Sequence, residues 1–107
     1  KFKLGVTEFD ICTPILTFVY GESQLGGRVA LISMNRLHGD GAESTYERVA
    51  KIGVHEIGHL LGLEHCWEVR CLMHFSRNLD QLDSLPLQFC SACEFETARR
   101  IKNIKAG

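Results

Sequence analysis

Several absences narrow what this 107-residue chain can be. No apolar run approaches the ~18 residues that read as a membrane-crossing helix, and no stretch has the charged, apolar and small-residue order of a secretory signal. Charge of one sign is also missing: 12 Lys and Arg stand against 13 Asp and Glu, for a net charge of −1. Such a surface has no field to steer nucleic acid or anionic lipid. There is no internal repeat, low-complexity tract or linker. The 45% hydrophobic content and mean hydropathy of −0.02 suit one soluble globular domain, and about 60–68% of its unfolded surface is buried on folding. A cytoplasmic monomer with no nucleic-acid or membrane partner is expected. The chain opens on Lys1 rather than Met, already inside a strand-like stretch, so an upstream segment is expected to have been removed or left out.

Residues 2–7 alternate and are β-prone, and residues 15–20 follow as a second strand entered at Pro14. Gly21, Gly26 and Gly27 bracket a turn region, residues 28–33 read as a third strand, and 35–41 as a loop. Ser44-Thr45-Tyr46-Glu47 has the form of a capping box, with Ser44 at the N-cap and Glu47 three residues on. The helix it opens is predicted over about 45–61. Its apolar stripe is predicted to be Tyr46, Val49, Ala50, Gly53, Val54, Ile57, Leu60 and Leu61. A short helix is predicted near 78–85, stopped by Pro86, and a last one over 91–105. Arg99, Arg100, Lys102 and Lys105 read as a solvated face suited to a helix C-terminus.

The chemistry gathers on that first helix, in His55-Glu56-Ile57-Gly58-His59-Leu60-Leu61-Gly62-Leu63-Glu64-His65. Residues four apart on a helix lie about 40° apart and about 6 Å along the axis, so His55 and His59 can share one metal ion. A continuing helix would carry His65 about 15 Å away, whereas Zn–N bonds are only about 2.0–2.1 Å long. The chain must therefore turn back, and Gly62 can supply the turn because it takes positive φ without a Cβ penalty. Glu56 falls beside the metal, placed to accept a proton from water. Three His, a Glu and a Gly at these offsets match by chance on the order of 10⁻⁷ per starting position. A bound transition metal, zinc above others, is the reading. On the predicted phase, His55 and His59 face away from the apolar stripe.

Cys66, Cys71, Cys90 and Cys93 form C-x4-C and C-x2-C pairs eighteen residues apart, the arrangement of a tetrahedral zinc site with four cysteine ligands. Two disulfides are the alternative. The odd fifth cysteine, Cys12, the lack of a secretory signal and the tight C-x2-C pair favour zinc. Such an ion would pin the chain just after His65 and tie it to the last helix, while Cys12 reads as a small inert core residue.

H-E-x-x-H-x-x-G-x-x-H followed by a methionine turn is the metzincin signature. With Cys66, then Cys71-Leu72-Met73, then Cys90-Ser91-Ala92-Cys93, the chain closely resembles the archaemetzincins. Leu4-Gly5-Val6-Thr7 and Gly26-Gly27-Arg28-Val29-Ala30 also look like that family. The resemblance implies an α/β (α+β) metzincin-like fold. Its twisted mixed, mainly parallel sheet lies over the active-site helix, with a small zinc-stapled C-terminal subdomain. The N-terminal subdomain is expected over 1–62 and the C-terminal one over 63–107, and a further N-terminal strand and helix of the family are missing. It also implies that His55, His59 and His65 ligate a catalytic zinc, that Glu56 is the general base and that Met73 lies beneath the metal. From the residues alone, Met73 reads as an ordinary core methionine. One strand within 16–33 should be the cleft edge that pairs with an extended peptide. Phe75 stands where astacins carry a metal-approaching tyrosine; His74 beside it reads as a surface residue, with a polar neighbour of the metal as the alternative.

Two zinc ions per chain, one catalytic and one structural, and a peptide or protein substrate follow from this reading. The activity expected is hydrolysis of peptide bonds by a zinc metallopeptidase, with aminopeptidase-like action among the family's activities. Alternatives are a zinc-stabilised binding module with a disabled catalytic centre, and a metal-dependent hydrolase of non-peptide amides. Acid below about pH 6 is expected to release the histidine-bound metal first, because unperturbed imidazole titrates near ~6.5.

Overall fold

In a computed structural model the described residues are 2–11, 19–24 and 26–106; Cys12 and most of the strand predicted over 15–20 lie outside them. Three strands, β1 (Lys3–Thr7), β2 (Gly21–Ser23) and β3 (Val29–Ser33), form a sheet in the order β1-β3-β2. β1 runs parallel to β3, and β2 runs antiparallel to it, so the sheet is mixed as expected. The predicted turn at Gly21 is strand instead. Its residues pair in register with β3, Gly21 opposite Ile32 and Ser23 opposite Ala30.

Helix α1 (Ala42–Leu60) crosses under the sheet, followed by α2 (Leu79–Ser84) and α3 (Ser91–Ala106). α1 starts three residues earlier than the capping box predicts. Its N-cap is Gly41, at φ 108°, with no side-chain cap. Thr45 serves the entry instead, accepting the Gly39 N–H at 2.9 Å and donating to the Gly41 carbonyl at 3.2 Å. Glu47 is turned toward Lys51, 3.4 Å away. Asn78 caps α2 by accepting the Gln81 N–H at 2.9 Å, and Leu85 is already extended before Pro86.

The predicted stripe on α1 is partly wrong. Tyr46 is 69% exposed and Ile57 38% exposed, while Ile52, His55, Glu56 and Gly58 are buried. The helix is covered on more than one side, so a single 100°-wide stripe does not describe it. Sheet and α2 cover the side of Ile52, which joins Tyr20, Ile32, Leu37 and Leu82 in one core. Below the helix, Leu63, Cys71 and Met73 form a second core with Phe89 and the remaining cysteines of the cluster packed against it. Lys51 and Arg48 fasten α2 to α1. Lys51 Nζ donates to the Leu82 and Asp83 carbonyls at 3.2 Å, and Arg48 grips the Asp83 carboxylate at 2.8 and 2.9 Å.

Candidate metal centres

α1 ends in a way that the His65 argument requires. The Gly62 N–H bonds the His59 carbonyl at 2.9 Å and the Leu63 N–H bonds the Gly58 carbonyl at 2.9 Å. This is a Schellman closure around Gly62 at φ 95°. The chain turns back and brings His65 to the other two histidines, with ring centroids 4.7 Å apart for 55–59, 5.3 Å for 55–65 and 4.8 Å for 59–65. One ring nitrogen from each lies within 4.8 Å of the others.

Second partners fix which nitrogen faces inward. His55 Nδ1 meets the Leu72 carbonyl at 2.8 Å and His59 Nδ1 meets the Leu63 carbonyl at 2.7 Å. A carbonyl only accepts, so both Nδ1 atoms carry the proton and both Nε2 atoms present lone pairs. Those two Nε2 atoms stand 3.1 Å apart. Two bare lone pairs repel at that distance unless a cation lies between them. Tetrahedral zinc at ordinary Zn–N lengths would hold them about 3.3 Å apart, so the residues fit the ion. Burial lowers the His55 pKa to about 4, opposed by the hydrogen bond to the Leu72 carbonyl. His65 is lowered by burial and by His59. Neutral imidazoles are the form that ligates metal.

Glu56 lines the same cleft, of about 1260 Å³, whose wall also carries β2 and the segment after Met73. Burial raises its pKa to about 7, opposed by a hydrogen bond from Ser23 and aided by the charge of Glu22. Met73 lies beneath the helix. A Cβ placed on Gly58, one turn from His55, would fall 2.5 Å from the Met73 sulfur. The methionine therefore packs directly under the turn that carries His55.

The four cysteines also converge, with sulfurs within 4.8 Å of one another and no disulfide among them. Cys66 and Cys90 sulfurs are 3.8 Å apart. That is far beyond the ~2.05 Å of a disulfide and equal to the spacing of about 3.8 Å for two thiolates on tetrahedral zinc. The Cys93 N–H draws the Cys90 pKa down to about 7, and burial among the other sulfurs pushes Cys93 up. Their neighbours tie the two centres together. The Cys66 N–H bonds the Met73 carbonyl at 2.9 Å, and Leu72, whose carbonyl holds His55, lies between Cys71 and Met73.

Two sequence expectations change here. His74 is half-buried in the cleft, its Nδ1 on the Cys66 carbonyl at 2.8 Å, and not at the surface. Arg100 leaves the solvated face of α3 and donates to the Leu61 carbonyl at 3.0 Å, capping α1 from outside. Sequence reasoning also missed Gly58, Gly21, Lys51 and the 94%-exposed Trp67 on the cleft wall. An isolated glycine in a helix costs about 1 kcal/mol against Ala, which was the available signal for Gly58.

A profile of peptidase family M54 matches residues 2–100. The chain belongs to this family. It is 46% identical over 93 residues to the archaemetzincin of Archaeoglobus fulgidus, covering 87% of this chain and 58% of that protein. To the archaemetzincin of Methanopyrus kandleri it is 39% identical over 99 residues, covering 92% and 57%. The M54 chain thus spans little more than half the length of these relatives. The crystal structure of the Archaeoglobus protein complexed with malonate superposes with a TM-score of 0.85 at 45% identity, over 90% of this chain and 60% of that one. The Methanopyrus structure gives 0.89 at 39% identity, over 92% and 55%. The mixed sheet over a long helix is therefore the archaemetzincin arrangement.

Gly62→Val tests the closure. Valine at positive φ is strained by about 1–2 kcal/mol, and its Cβ would collide with the Arg100 guanidinium. Zinc affinity at the histidines should fall at least tenfold, with the cysteine site within about twofold, as measured by competition against a metal indicator. Equal histidine-site affinity in the variant would remove Gly62 from the construction of the centre.

Proposed function

We propose that this chain is the catalytic region of a zinc metallopeptidase, with zinc at His55, His59 and His65 and a structural zinc at Cys66, Cys71, Cys90 and Cys93. The observation that carries the reading is the pair of Nε2 lone pairs 3.1 Å apart, both with their Nδ1 protons already spent on carbonyls. Zinc held there supplies a Lewis acid that acidifies water and polarises a substrate carbonyl. Glu56 takes the proton of the attacking water on its carboxylate and passes it to the leaving amine.

The substrate is an extended peptide or small protein. β2 supports this choice, because among the described residues it is an edge strand bonded on one side to β3, and its residues line the cleft beside Glu56. A peptide strand added to that edge would cross the histidine centre. Met73 is the methionine under the metal, and the chain divides after Gly62 into the subdomain of sheet and α1 and the cysteine-stapled remainder.

A mixed peptide library incubated with the zinc-loaded protein tests the reading. Defined fragments should appear, vanish with a chelator and return with added zinc. Both metal sites filled and no peptide cut would overturn it in favour of a zinc-stabilised binding module.

A further inference from the structure

We infer that β2 is a positioning element for Glu56: residue 21 must lack a side chain for the carboxylate to sit where it does. The inference rests on the reading of Glu56 as the base. Gly21 and Ser23 alternate with exposed Glu22 and share the sheet face that looks down on α1. A glycine inside a strand weakens it and marks a close approach. Gly21 is not among the positive-φ glycines of the described residues, so any residue could adopt its backbone. Space alone excludes a side chain. A Cβ there would stand 2.7 Å from Glu56 Oε2, 3.0 Å from Glu56 Cγ and 3.0 Å from Ile52 Cγ2.

Which neighbour yields is decided by packing. Ile52 is locked in the core with Ile32 and Leu82, whereas the carboxylate is the free end of a flexible chain. An alanine at 21 would therefore move the base and leave the fold intact. The strand proposed to receive the peptide is thus also the strand that holds the base, fixing both against one backbone.

Gly21→Ala is the test. A misplacement of about 1 Å can cost about 10²-fold in rate. We expect kcat lower by about 10²-fold, KM within threefold, both zinc ions retained and Tm within a few degrees. Its crystal structure should show the Glu56 carboxylate shifted. An unmoved carboxylate in Gly21→Ala, or wild-type kcat in Gly21→Ala while Glu56→Gln is inactive, would overturn the inference. Full activity in Glu56→Gln would instead overturn the assignment of the base, and the position of the carboxylate in the Gly21→Ala crystal would still decide the geometry.

Discussion

Glu56→Gln should keep zinc at both centres and lose peptide turnover by about 10²–10⁴-fold, more if the same carboxyl also serves as the acid. Glutamine matches the shape and fills the same space under Gly21, so packing is preserved, but its amide cannot take a proton. Stability gives a second, independent readout. Burial raises the folded-state pKa of Glu56 from 4.5 to about 7. The folded protein therefore holds this proton more tightly than the unfolded chain. Its contribution is harmless below about pH 4.5 and increasingly destabilising as pH rises through 7, to a limit of about 3 kcal/mol. Glutamine removes that cost. The metal-free variant should melt no lower than metal-free wild type at pH 8, and the two should converge near pH 4. A variant that cuts peptides at the wild-type rate would end the assignment, and one that loses zinc would make Glu56 part of the metal centre.

What the sequence carried well was local and periodic. The H-E-x-x-H-x-x-G-x-x-H spacing places His55, Glu56 and His59 on one turn and demands a reversal at Gly62, and the chain reverses there. The C-x4-C and C-x2-C spacings likewise bring four sulfurs together. What it carried poorly depends on contacts distant along the chain. The capping box at Ser44 was outcompeted by Thr45, which finds the Gly39 N–H in the loop. The apolar stripe failed because Met73, from beyond the turn, covers Gly58, while nothing among the described residues covers Tyr46. Arg100 looked solvated because its partner, the Leu61 carbonyl, lies thirty-nine residues earlier. Gly21 read as a turn because nothing in its neighbours announces the Glu56 side chain above which it sits. The role of Met73 entered through family resemblance alone; what the structure adds is that its sulfur packs against Gly58.

The two proposed zinc sites should come apart in order, the histidine site first. Four thiolates close around an ion and leave no place for a chelator, whereas three imidazoles leave one open. His55 and His59 also sit on a helix whose core packing through Ile52 and Leu82 does not need an ion. A mild chelator should therefore yield a folded, inactive species with one zinc at Cys66, Cys71, Cys90 and Cys93. Acid is a weaker lever than unperturbed imidazoles suggest. Burial holds His55 at about 4 and lowers His65 as well, so protons compete for those ligands at lower pH than for free imidazole. Metal release by acid is therefore expected at lower pH than three unperturbed imidazoles would give. The reverse experiment should not be symmetrical. Cys90→Ser breaks the sulfur cluster, and with it the core of Leu63, Cys71 and Met73. That core carries the Leu72 carbonyl on which His55 depends, and Cys66 is joined directly to His65. Loss of the cysteine zinc should thus weaken the histidine zinc by tenfold or more, while loss of the histidine zinc leaves the cysteine zinc in place. Metal analysis with circular dichroism through a chelator titration reads both arms. Simultaneous loss of both ions with unfolding would refute the division into an open and a closed site, and so would a Cys90–Cys93 disulfide in freshly prepared protein.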